Sequence, residues 1–299
     1  MPNPFDRFGP ELQHLLQRLP PPTSRNLWLL TAALVACHNL WVIHATQDVP
    51  RILVVSLLCW WGALTCMEDR IDDLRPRPSR PGMVVGLLLL SFCLVVSAMV
   101  VGRHGVIYVL GPLEVVALAL LCVPMRKIGA FWQQIVVLSL APMAILLEKL
   151  LPYGPISVLT ARMASVVVGV LGYPSEVQGN LIQIGPARVQ VIGLCSGLDQ
   201  IAMLIIVTVI FLLAFPLRRP VHRLAVLGLA PVIAVIGNTL RISLLVTIVY
   251  LERSAGIAES GWWFNFFHDA EGSLIFAMAS VSVLGYLYLK IIDRELGPA

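Results

Sequence analysis

The run LAVLGLAPVIAVIGNTLRISLLVTIV, from Leu224 to Val249, decides the fold. A surface helix in water shows one apolar stripe and one polar face. This run is apolar on every side apart from three hydroxyl residues, and its only amide and charged side chains are Asn238 and Arg241. As a helix rising 1.5 Å per residue it exceeds the roughly 30 Å hydrocarbon core of a bilayer. It reads as a membrane span that carries a guanidinium.

Seven further apolar runs flank it: 27–44, 51–67, 82–101, 106–123, 129–147, 196–215 and 269–290. Composition agrees with a chain mostly inside lipid. Hydrophobic residues make up 58% of the 299 and charged residues 13%, with a mean hydropathy of +0.85. A soluble domain carries about 25% charged residues. A disordered chain, an ordinary soluble enzyme and a nucleic-acid binder are excluded. The expected fold class is an all-α integral membrane protein of about eight transmembrane helices, with a small extracytoplasmic helix-plus-β-hairpin insert.

The expected organisation follows the runs. Residues 1–26 form a cytoplasmic arm, 27–147 the N-terminal transmembrane helices, and 148–194 an extracytoplasmic insert. Residues 195–290 form the site-bearing transmembrane helices and 291–299 a cytoplasmic tail. The first run lacks a small-x-small cleavage site, so it reads as a retained helix. The 21 basic residues fix the orientation. With the N-terminus in the cytoplasm and eight alternating spans, 14 fall inside and 6 outside, Arg241 being the one within a run. Both termini are therefore expected in the cytoplasm, with the protein multi-pass in the cytoplasmic membrane.

Within the insert, Ile156–Leu171 is apolar and is expected along the membrane surface or against the bundle. Leu181, Ile182 and Ile184, the Gly185-Pro186 turn, then Val189 and Val191 read as two short strands. The six cysteines, Cys37, Cys59, Cys66, Cys93, Cys122 and Cys195, form no CxxC pair and no disulfide framework.

Ionisable groups inside a membrane are costly, so each is a functional candidate. The topology puts Cys195 and Asp199 at the start of the sixth helix, Arg241 far along the seventh, and His268 at the start of the eighth. All reach the same outer level. A thiolate is a nucleophile, an imidazole moves its proton, and a guanidinium stabilises an oxyanion with fixed donors. Cys195 is read as opening a helix, where the partial positive end favours a thiolate, and as the cysteine an external reagent reaches. Gly197 and Gly272 admit close backbone approach. Ser196 and Asn238 are read as supporting residues beside the trio. The plainer readings are a packed thiol, a snorkelling Arg241 and an interfacial aromatic belt holding His268 beside Trp262, Trp263, Phe264, Phe266 and Phe267. Glu114 receives no role. His268 and Glu271 are the chain's one pair at metal-ligand spacing, so no metal and no cofactor are expected.

Three blocks, Cys195-Ser196-Gly197-Leu198, Asn238-Thr239-Leu240-Arg241 and His268-Asp269-Ala270-Glu271-Gly272, occur in that order. Together they resemble the signature of the exosortase/archaeosortase family, over roughly Leu121–Leu289. The resemblance implies a membrane cysteine protease or transpeptidase, with Cys195 as nucleophile, Arg241 stabilising the transition state and His268 as acid and base. It implies substrates that are membrane proteins ending in a short motif, a transmembrane helix and a basic tail. Gly193-Leu194 and Asp199-Gln200 depart from the family's usual residues around the cysteine, so the cognate motif is not read. The competing expectation from another class is a transporter or an anion- or lipid-binding membrane protein. It would use Arg241 and His268 without thiol chemistry.

Overall fold

The computed structural model describes residues 23–46, 50–99, 106–257, 261–268 and 270–297. Most of the N-terminal arm, residue 269 and the last two residues of the tail lie outside the described residues. In chain order the helices are α1 (Ser24–Thr46), α2 (Pro50–Thr65), α3 (Arg80–Met99), α4 (Ile107–Cys122), α5 (Trp132–Leu150) and α6 (Tyr153–Val170). A small sheet follows, then α7 (Leu198–Ala214), α8 (Pro220–Ser254), α9 (Trp262–His268) and α10 (Ala270–Leu296).

The protein is a mostly helical multi-pass membrane protein. Six described helices are long and apolar enough to cross a bilayer: Ser24–Ala45, Ile52–Arg70, Arg80–Met99, Tyr153–Val170, Pro220–Ser254 and Gly272–Glu295. That differs from the eight expected. The fourth and sixth runs give shorter apolar helices, Ile107–Cys122 and Leu198–Ala214. The fifth run becomes α5, which is not among the six; its 19 residues include Gln133, Gln134, Glu148 and Lys149. The apolar segment of the insert, expected along the membrane surface or against the bundle, forms the 18-residue α6, long enough to span.

The outward face of α1–α3 is made of large exposed apolar side chains such as Leu34, Trp61, Leu88 and Met99, as lipid contact requires. Polar side chains tie the helices where they meet. The Gln200 amide of α7 donates to Ser280 of α10 at 2.8 Å. The Tyr288 hydroxyl of α10 donates to the carbonyls of Phe211 and Phe215. Glu295 accepts from the backbone N–H groups of Arg218 and Arg219, holding the end of α10 beside the start of α8.

The helix α8 has 35 residues, roughly 52 Å at 1.5 Å each, far more than the hydrocarbon core. The extra turns carry the insert. Three antiparallel strands, β1 (Glu176–Gln178), β2 (Leu181–Ile184) and β3 (Ala187–Gln190), lie in the order β1-β2-β3. Strand β2 pairs with β3 through Ile182 and Val189, and through Ile184 and Ala187. The expected hairpin is thus present, with one strand added before it. Alternation buries Ile182 and Ile184 on one face. That face packs with Ala161, Ala164 and Val168 of α6 and Ile242, Leu245 and Val246 of α8. Cys195 belongs to the same cluster.

Candidate active site

Strand β3 leads directly into the cysteine. Asn180 clamps the strand's exit, donating from its side chain to the carbonyl of Val191 at 2.8 Å, while the Val191 N–H returns to the Asn180 carbonyl. A single 3-10 turn, Gly193–Cys195, follows. Cys195 therefore sits three residues ahead of α7, whereas the sequence reading has it opening that helix. Gly197 causes the break: it caps α7 at φ 92°, a left-handed conformation that side chains resist. A Cβ there would meet Asn238 Nδ2 at 2.7 Å.

That close approach lets Asn238 do its work. Its Nδ2 donates to the backbone carbonyl of Cys195 at 2.9 Å, and Asn238 is only 1% exposed. On the other side, Thr160 of α6 donates to the carbonyl of Ser196 at 2.9 Å. The Ser196 hydroxyl turns back to the carbonyl of Gly193 at 2.7 Å. The cysteine segment is held by side chains from two helices and by its own turn.

Arg241 lies three residues beyond Asn238, on the same face of α8. It is 7% exposed, so snorkelling to water does not describe it. Its Nε donates to the carbonyl of Phe267 at 3.2 Å and its Nη2 to that of His268 at 2.7 Å. These are the orphan carbonyls that end α9. A guanidinium carries five N–H donors, and the described carbonyls engage two of them. The His268 ring is half-buried and stacks on Phe264 with centroids 5.0 Å apart. Gly272 lets α10 start tightly against α9, because a Cβ there would collide with the carbonyl of Phe266.

The structure thus gathers Cys195, Ser196, Gly197, Asn238, Arg241 and the backbone of His268 through one face of α8. Asp269 lies outside the described residues, and nothing links Glu114 of α4 to this site. Among the described residues no group of three or more His, Cys, Asp or Glu is placed to hold a metal. The Cys195 thiol is 6% exposed, more hidden than a readily labelled cysteine. Thr160 escaped sequence reading: it is a lone polar residue whose partner is a distant backbone carbonyl.

The model of the transmembrane exosortase family matches residues 41–285. The chain belongs to this family. The match takes in the helices that carry the three blocks and most of the N-terminal helices as well. No curated protein and no solved structure matches the chain. Family membership makes this exosortase a multi-pass membrane protein of the protein-sorting class.

Proposed function

We propose that the chain is a membrane cysteine protease or transpeptidase that cleaves the C-terminal sorting signal of membrane-tethered proteins at the extracytoplasmic face. One observation carries the reading. Asn238 and Arg241, one helical turn apart, hold the carbonyl of Cys195 and the carbonyl of His268 respectively. A single face of α8 therefore sets the nucleophile's segment against the imidazole's segment. Family membership supports the same class of chemistry. The engaged donors of Arg241 also speak against a bare anion-transport site, because two of its N–H groups already serve the fold.

The reaction runs as acyl transfer. The Cys195 thiol gives its proton to His268, and the thiolate adds to the scissile carbonyl carbon. The remaining N–H groups of Arg241 stabilise the oxyanion. The C–N bond breaks as His268 returns the proton to the leaving amine. The resulting Cys195 thioester passes to water, releasing a carboxylate, or to an amine, forming a new amide. The substrate's own transmembrane helix brings its scissile bond to the protein laterally through the lipid.

The test is co-expression with a tagged membrane protein bearing a motif, a transmembrane helix and a basic tail. The wild type should shorten it, and Cys195→Ala should not. Processing that survives Cys195→Ala would overturn the reading.

A further inference from the structure

Helices α1, α2 and α4 with the start of α5 lie apart from the Cys195 site, yet they enclose a cleft of about 300 Å³. It exists because small side chains face one another across it: Ala32, Ala33 and Ala36 on α1, and Ala63 on α2. Val115, Leu118 and Phe131 close its back. Trp28 and Trp60 stand in its walls with fixed rings. The Trp28 indole N–H donates to the carbonyl of Leu118 at 3.0 Å, and that of Trp60 to Asn39 Oδ1 at 3.1 Å. The rim residues Leu57, Trp61 and Leu64 are each more than half exposed. In a multi-pass membrane protein such a rim opens to hydrocarbon.

One wall residue is out of keeping. Gln134 lines this apolar cleft at 2% exposure, and neither its amide nitrogen nor its oxygen has a hydrogen-bond partner. A buried amide without a partner in hydrocarbon is costly. Its depth is fixed by its neighbour. Gln133 donates to the carbonyl of Leu213 in the last turn of α7, at the end of the bundle opposite Cys195. Gln134 is therefore near a membrane boundary, at the level of lipid ester groups.

The two lips of the cleft at that end carry opposite charge. The turn Met125–Phe131 runs into the cleft wall and bears Arg126 and Lys127, both exposed and without an ion-pair partner among the described residues. The other lip follows the wall residue Met67 with the exposed Glu68 and Asp69. Arg70 joins the lips, donating from Nη1 to the carbonyl of Ala130 at 3.1 Å.

We infer that this cleft binds one phospholipid of the phosphatidylethanolamine type. One acyl chain fills the apolar space, and an ester carbonyl accepts from the Gln134 amide. The phosphate meets Arg126 and Lys127, and the primary ammonium meets Glu68 and Asp69. A lipid helix of a protein is too thick for the space, being about 10 Å across. A purely anionic headgroup leaves the acidic lip unmatched.

Native mass spectrometry of the detergent-solubilised chain tests this, with phosphatidylethanolamine, phosphatidylglycerol and phosphatidylcholine offered at equal concentration. One phosphatidylethanolamine should remain bound, about five-fold tighter than either other lipid. Ala36→Phe, which fills the cleft, should abolish retention. Gln134→Leu, which keeps the volume and removes the N–H, should weaken it about five-fold. If Ala36→Phe fails to fold, phosphatidylethanolamine with a photoreactive acyl chain on the wild type decides. Adducts should fall within residues 28–36 and 57–64. Equal retention of the three lipids, indifference to Gln134→Leu, or adducts elsewhere or between two chains would each overturn the inference.

Discussion

The Arg241 guanidinium donates to the backbone carbonyl of His268 at 2.7 Å. Charge is thus spent on geometry: the cation fixes where α9 ends and so where the imidazole stands. A lysine offers a point charge on a flexible stem and cannot reproduce the fork that reaches Phe267 and His268 together. Arg241→Lys should insert and fold yet lower processing by about 10²–10³, the usual loss for one oxyanion donor. Initial rates of substrate shortening, with the amount of inserted protein matched, check this. Near-normal turnover by Arg241→Lys would reduce Arg241 to a structural clasp.

Asn238 and Gly197 form a coupled pair. Asn238→Ala leaves the buried Cys195 carbonyl without its donor, a loss of about 1–3 kcal/mol. Gly197→Ala meets both a positive φ and the Asn238 side chain. Shortening Asn238 removes the contacts with its amide but leaves its Cβ at 3.0 Å, so the collision is partly relieved while the backbone strain stays. The double variant should therefore be more stable than the sum of the two losses, by about 0.5–3 kcal/mol of coupling. Thermal unfolding of the four proteins in one detergent measures it. Strict additivity would mean that the segment relaxes away from Asn238.

Hydropathy made the helices legible, because a membrane demands long apolar runs whatever their partners. The placement of Asn238 and Arg241 on one face was legible too, since a helix repeats every 3.6 residues. Other features depend on contacts that no local pattern records. The strand Glu176–Gln178 has a single apolar residue and pairs only because β2 lies beside it. The break ahead of α7 depends on Asn238, 41 positions further along, crowding Gly197. The apolar run 224–249 falls short of α8 at both ends because charged residues such as Arg223, Glu252 and Arg253 continue the helix, and Tyr250 there packs on Tyr173 of the insert. The span count differs from eight because two apolar runs give helices shorter than a span, α5 carries polar residues, and the insert's α6 is itself long and apolar enough.

Orientation yields a direct prediction. Glu295 at the end of α10 is bonded to the N–H groups of Arg218 and Arg219 at the start of α8, so these ends lie on one side. Gly185 lies against the Tyr250 ring, near the end of α8 remote from Arg218 and Arg219. The excess of basic residues near Arg218, Arg219, Arg223, Lys290 and Arg294 predicts a cytoplasmic location for that side. Reporter fusions at Gly185 and after Ala299 should report opposite sides, with Gly185 outside. The same side for both would remove the extracytoplasmic placement of the site.

The burial of Cys195 gives the last prediction its form. The thiol is 6% exposed among Ala161, Ile182, Val191 and Ile242, so a reagent reaches it only when this packing opens. Cys37 is the one exposed cysteine of the described residues, but it lies on α1 among side chains that face lipid. A membrane-impermeant maleimide should therefore label Cys195 slowly and Cys37 hardly at all, while an apolar maleimide should reverse the order. Asn238→Ala frees the Cys195 carbonyl and loosens the segment, so it should speed labelling of Cys195 while slowing processing. Opposite movement of the two readouts separates a nucleophile held in place from a thiol that merely fills space. Equal labelling of the wild type and Asn238→Ala, with processing unchanged, would leave Cys195 as packing and return its segment to a purely structural role.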